Sequence, residues 1–150
     1  MNHTADLTSP PTVSVPGNPV LRLAVIGAGP AGLALALQAA RLLPEATVTV
    51  FDARAADRDV SGDPRTLALS LGSVQFLSQL GVWGGIEATG KVAAIHEVHV
   101  SQQQPTVLWP GREQPRVDIT SREQGVDQLG AVLSYGTLVA PMQAAMAQGA

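Results

Sequence analysis

The run LRLAVI at residues 21–26 is apolar except for Arg22, and a short apolar segment without alternation predicts a parallel strand buried on both faces. The texture then changes. Over residues 30–43 Ala, Leu and Gln dominate, which predicts a helix with Pro30 near its first position, where a missing N–H costs nothing. Pro44 ends it. ATVTVFD (46–52) is short and β-branched and predicts a second strand, so the three segments close as a right-handed βαβ unit.

A polar loop occupies 53–64. Within RTLALSLGSVQFLSQLGVW (65–83), Leu69, Val74, Leu77 and Leu80 recur at helical intervals, predicting a second helix that closes at Gly81. AAIHEVHVS (93–101), PTVLWP (105–110) and RVDIT (116–120) read as a meander of short strands outside the parallel sheet. LGAVLSY (129–135) predicts one more strand and GTLVAPMQAAMAQ (136–148) a last helix. The expected fold class is α/β: a Rossmann-like βαβ unit with the start of a β-rich domain, incomplete. Its expected segments are a flexible leader (1–20), the βαβ unit and following helix (21–83), a β-rich segment (84–127), and a return strand and helix (128–150). Two parallel strands make a smaller sheet than a doubly wound domain usually has, so the chain is expected to be the front part of a longer protein.

Charge and composition narrow the function. A net charge of −3 without a dense Lys/Arg patch lacks the electrostatic footprint of a nucleic-acid binder. The absence of cysteine excludes disulfides, thiolate metal sites and thiol nucleophiles, and fits a reducing compartment, with the cytoplasm as the expected location. Pro10, Pro11, Pro16 and Pro19 deny the leader regular structure, and it has neither the cationic nor the apolar region of a signal peptide. No apolar stretch approaches the roughly 20 uninterrupted residues of a spanning helix.

The chemistry gathers in VIGAGPAG (25–32). Gly27 lets the strand turn sharply, Gly29 leaves room for a pyrophosphate against the backbone, and Gly32 lets the helix pack close. Helix-start N–H groups and the helix dipole then favour a diphosphate. Asp52 ends the second strand twenty residues after Gly32, where a carboxylate accepts hydrogen bonds from the hydroxyls of an adenosine ribose. Strand, turn, helix and acid together predict a dinucleotide site. They do not separate FAD from NAD.

After that acid the chain departs from a plain NAD-binding unit. DPRTLALS (63–70) and LGVW (80–83), together with the glycine motif, resemble the group A flavin-dependent aromatic hydroxylases, most closely the branch that hydroxylates ubiquinone precursors. HVS (99–101) and LGAVLSYGTLVAPMQ (129–143) also follow the family's order. The resemblance implies that Gly27, Gly29 and Gly32 hold the pyrophosphate of FAD, that Asp52 holds its adenosine ribose, and that Arg65 lies beside the flavin. It further implies NAD(P)H as electron donor, O2 as co-substrate, and hydroxyl transfer to a small, electron-rich and polyprenylated phenol. Other ubiquinone-pathway enzymes are the implied partners, and a peripheral place at the inner membrane is the implied alternative to the cytoplasm. No catalytic residue is assigned, and the 150 residues alone are expected to lack hydroxylase activity. Where relatives carry a Glu-Asn-Arg type sequence, this chain has Ser134, Tyr135, Gly136 and Thr137, leaving the start of the last helix to offer backbone N–H groups at most.

Other polar residues carry less. His96 and His99, three apart in an expected strand, point to opposite faces and make no metal site. Asp57, Asp59 and Asp63 among Arg54, Arg58 and Arg65 read as a solvated loop, and Arg54 lies either along the adenine or free at the strand end. Trp83 and Trp109 read as packing residues. The competing functions are a non-catalytic nucleotide-binding remnant and a fragment of an NAD-linked dehydrogenase; the second is disfavoured because no βαβαβ repeat continues after Asp52.

Overall fold

The chain begins its described structure with strand β1 (Arg22–Ile26), helix α1 (Pro30–Leu42) and strand β2 (Thr47–Phe51). This computed structural model describes residues 21–101 and 116–149; the leader and PTVLWP with Trp109 lie outside the described residues. The strands pair in parallel from Arg22 opposite Thr47 to Ile26 opposite Phe51, so the expected βαβ unit is present and the fold is α/β. Its burial differs from expectation. Val25 is 8% exposed while Ile26 is 80% and Phe51 52% exposed, because α1 covers one face of the pair and no described element covers the other. Alternate side chains of β1 and β2 therefore meet solvent despite their apolar sequence.

The segment expected to be one helix is divided. Thr66–Ser70 forms β3, and α2 starts only at Leu71 (Leu71–Gln79), followed by a short α3 (Trp83–Glu87). β3 pairs antiparallel with β7 (Gly130–Ser134), from Thr66 opposite Ser134 to Ser70 opposite Gly130. The alternation of TLALS suits a strand as well as its leucines suit a helix, and the partner sixty residues on decides between them. Leu69 thus belongs to a strand, whereas Val74 and Leu77 are the buried face of α2. Ser70 marks the switch, its Oγ accepting the Ser73 N–H at 3.3 Å as an N-cap. The turn after α2 passes through Gly81, with φ +78°.

AAIHEVHVS likewise forms two strands instead of one. β4 (Ala93–Ile95) joins the other edge of β7, while β5 (Glu97–Ser101) pairs antiparallel with β6 (Arg116–Thr120). The break falls at His96, whose carbonyl accepts the Ser121 N–H at 2.8 Å and whose Nδ1 lies 3.1 Å from the Asp127 carbonyl oxygen. His96 is therefore outside the strand that carries His99. β7 is the central strand of β3–β7–β4, with Ala131 and Leu133 buried.

Helix α4 (Tyr135–Ala147) joins these parts. Leu138, Val139 and Met142 are almost wholly buried, in one core with Leu33 and Leu37 of α1, Leu77 of α2, and Trp83 and Ile86 of α3. Burying a Leu or Met side chain contributes about 1.5–3 kcal/mol, so α4 holds the βαβ unit against the antiparallel sheet. Among the described residues no helix is long and apolar enough to cross a membrane.

Candidate functional site

The three glycines of the first turn sit in three different settings. Gly27 has φ +105°, a conformation that side chains resist, and its N–H donates to the Phe51 carbonyl at 2.6 Å, tying the end of β1 to β2. A Cβ at Gly32 would stand 1.9 Å from the Gly27 carbonyl oxygen, so the first turn of α1 packs directly on backbone. Gly29 differs from both. Its backbone is extended (φ −81°, ψ 179°), and a Cβ there would meet only the Tyr135 hydroxyl at 3.9 Å. The fold itself leaves space at Gly29. Beyond it no side chain caps α1, and Pro30 has no N–H, so the first-turn N–H groups of Ala31 and Gly32 and the positive end of the dipole are suited to an anion.

Asp52 is turned onto this loop. Its Oδ2 accepts the Ala28 N–H at 2.7 Å, and its Oδ1 accepts the N–H of Arg54 at 2.8 Å and Arg54 Nε at 2.9 Å. Hydrogen bonding from the Arg54 guanidinium, then from the backbone N–H groups of Arg54 and Ala28, holds the carboxyl far below the ordinary carboxylate range. The same contacts, with Asp52 first and Tyr135 next, raise Arg54 above its already high value. Arg54 also reaches past Asp52: Nη1 donates to the Tyr135 hydroxyl at 3.2 Å and Nη2 to the Ala28 carbonyl at 3.3 Å. Arg54 therefore belongs to the site and not to the loose end of a strand.

A second fork repeats the arrangement. Arg65 donates its N–H and Nε to Asp63 Oδ1 at 3.1 and 3.0 Å and pairs its Nη2 with Asp63 Oδ2 at 2.8 Å. Asp63 is lowered and Arg65 raised by this pair. Both forks are Asp-x-Arg, the carboxylate folding back on the N–H two residues later, and this repeated spacing is the sequence signal for Arg54. They meet on one side chain. The Arg65 guanidinium lies 4.2 Å from the centroid of the buried Tyr135 ring, while Arg54 holds its hydroxyl.

The start of α4 differs from expectation. The Tyr135 N–H donates to the Arg65 carbonyl at 2.6 Å, the Gly136 N–H to the Asp63 carbonyl at 3.1 Å, and the Thr137 N–H to Ser134 Oγ at 3.1 Å. Its first-turn N–H groups are satisfied within the chain, so this helix start offers none to a cofactor. A Cβ at Gly136 would stand 2.3 Å from the Ser61 carbonyl oxygen and 2.5 Å from that of Val60, which shows how closely the 60–65 segment seals it.

Between the glycine turn, the loop after β2 and the end of α4 lies a cleft of about 440 Å³, lined by Ala28, Asp52, Arg54, Val60, Gln143 and Met146 among others. Its mostly apolar walls with one acid, Asp52, and two arginines, Arg54 and Arg58, are the composition of a nucleotide pocket. Elsewhere, Asp59 accepts the Ser61 N–H at 2.8 Å as a loop brace, and Trp83 is buried in the core. His99 Nδ1 contacts Asp118, which also pairs with Arg116 at 2.7 Å; His99 and then Arg116 lower the Asp118 carboxyl. Among the described residues no group of three or more side chains could hold a metal ion.

A protein-family model described as "FAD binding domain" matches residues 20–140, a span containing the glycine turn, both forks and Tyr135. No curated protein matches the chain.

Proposed function

The chain belongs to the FAD-binding domain family, and from that premise we propose that it supplies the ADP-binding part of a flavin-dependent aromatic hydroxylase acting on a ubiquinone precursor. The observation that carries the nucleotide reading is the 2.7 Å bond from the Ala28 N–H to Asp52 Oδ2. It fixes the carboxylate to the glycine turn, so a ribose diol and the adjoining diphosphate meet one rigid unit. In this reading Asp52 takes the ribose, Gly29 and the start of α1 the diphosphate, and the cleft beside Val60 and Met146 the adenine. Arg65, stacked on the Tyr135 ring, takes the flavin half in this reading.

FAD, when bound, supplies electron transfer from NAD(P)H to O2. The residues of this chain bind and orient: the α1 N–H groups balance phosphate charge, Arg65 serves the flavin half, and Asp52 fixes the adenosine end. No side chain is needed as a nucleophile. The aromatic, polyprenylated substrate rests on the resemblance of DPRTLALS and LGVW, as do NAD(P)H, pathway partners and a cytoplasmic or peripheral inner-membrane location.

Titration of FAD and of NAD into the purified chain tests the reading. Saturable quenching of flavin fluorescence, lost in Gly29→Val, supports it; saturable binding of NAD without FAD favours the dehydrogenase alternative. The hydroxylase half is tested with NAD(P)H, O2 and a polyprenylated phenol. Because the 150 residues alone are expected to be inactive, it is absence of hydroxylated product from a longer protein that contains this chain and retains FAD that leaves the non-catalytic nucleotide-binding reading.

A further inference from the structure

The Asp52 carboxylate is fully engaged by its own chain. An ionised carboxylate has about four acceptor positions. Here the N–H groups of Ala28 and Arg54 fill two, at 2.7 and 2.8 Å, and are fixed by the backbone. The other two are filled by Arg54 Nε at 2.9 Å and Nη2 at 3.3 Å. A ribose diol that binds Asp52 through both hydroxyls needs the positions that the guanidinium occupies. The guanidinium is accessible for displacement, since the Arg54 side chain is 31% exposed and that of Asp52 17%.

The remaining contacts of Arg54 show where it is held when it leaves. Nη1 reaches the Tyr135 hydroxyl at 3.2 Å and Nη2 the Ala28 carbonyl at 3.3 Å, and Tyr135 in turn stands beside the open space at Gly29. One guanidinium thus spans the ribose acid and the glycine turn, the two places that a nucleoside diphosphate must occupy together. A neutral nucleoside offers it nothing in exchange for Asp52. A diphosphate offers anionic oxygens, for which a guanidinium fork is well matched.

Resting on the FAD-binding reading, we propose that Arg54 is a displaceable occupant of the ribose subsite. It holds Asp52 closed until a diphosphate at the glycine turn draws the guanidinium away, so the site selects nucleoside diphosphates over nucleosides. Ligand affinity is reduced by the fraction of protein in which the subsite is closed, and removing the occupant restores it.

The test is calorimetric titration of adenosine, ADP and FAD into the full chain, its Arg54→Met variant and its Arg54→Lys variant. The expected result is that Arg54→Met binds adenosine about fivefold more tightly than the native chain while losing affinity for ADP, with Arg54→Lys between them. The adenosine gain disappears when Asp52→Asn is added. An arginine that serves only as phosphate counter-charge weakens ADP and leaves adenosine unchanged; that result, or weaker adenosine binding in Arg54→Met, overturns the proposal while preserving the site. Absence of binding by all three ligands to the native chain overturns the site reading and this proposal together. Circular dichroism of the variants establishes that each is folded, as expected for substitutions at a half-exposed loop side chain.

Discussion

Gly32 lies against the Gly27 carbonyl oxygen so closely that a Cβ on Gly32 would stand 1.9 Å from it. Gly29, between them, has open space instead. Stability and ligand binding therefore separate by position. Gly32→Ala is expected to destabilise the fold by about 2 kcal/mol or more, since backbone must shift to admit a methyl group. Gly29→Val is expected to leave the urea unfolding midpoint nearly unchanged and to remove FAD binding, because its branched side chain fills the space facing the start of α1. A Gly29→Val chain that retains flavin removes the pyrophosphate from this turn.

Gly136→Ala tests the seal at the other helix. Its Cβ would press on the carbonyl oxygens of Ser61 and Val60 at 2.3 and 2.5 Å, both backbone atoms. We expect a loss of about 1–3 kcal/mol in denaturant unfolding, together with faster hydrogen exchange at Tyr135 and Gly136, whose N–H groups donate to the 63–65 segment. An unchanged midpoint shows that this segment yields easily.

The distance over which these contacts act explains what the sequence alone could show. The β1–α1–β2 unit, its glycines and Asp52 depend on neighbours within one supersecondary unit, and each leaves a local signature. β3 does not. Leu67 and Leu69 fit a strand while Leu69, Val74 and Leu77 fit a helix, and β7 settles the matter from afar. Arg54 meets Tyr135 across 81 residues of chain, and no periodicity encodes that. The sealed start of α4 depends on carbonyls from the 63–65 segment in the same way. The exposed face of β1 follows from missing cover, a property of the partner elements and not of LRLAVI.

The lowered Asp52 carboxyl sets a pH dependence. Its ordinary value is 3.8 and its folded value lies below that, so the folded state favours the ionised form. Its stabilisation is then fully present above the ordinary carboxylate range and is lost as pH falls through the folded value. The stability difference between the native chain and Asp52→Asn is expected to be constant above about pH 5 and to shrink toward pH 2. Urea midpoints measured across that range check it; a difference that grows on acidification contradicts the ion pair with Arg54. At neutral pH the same variant is expected to bind FAD about tenfold more weakly, because an amide accepts a hydroxyl hydrogen bond less well than a carboxylate.

Arg65 and Tyr135 allow the flavin half of the site to be tested apart from the ADP half. The Arg65 guanidinium stacks on the Tyr135 ring at 4.2 Å and is paired with Asp63, with its side chain 65% exposed, so it is oriented yet free to contact a ligand. Lysine keeps the charge but neither the planar stack nor the two-pronged fork. If Arg65 serves the part of FAD beyond the ADP moiety, Arg65→Lys lowers FAD affinity by about tenfold and leaves ADP affinity nearly unchanged. Tyr135→Phe keeps the ring under Arg65 and removes only the hydroxyl that Arg54 reaches, so its FAD-to-ADP ratio should follow the native chain. Tyr135→Leu removes the ring and should reproduce the Arg65→Lys ratio, with a stability loss of roughly 1–3 kcal/mol from the poorly filled space. Parallel titrations of FAD and ADP decide among these. Equal loss of both ligands in Arg65→Lys places the guanidinium on the shared diphosphate, and no loss of either makes it a surface brace for Asp63.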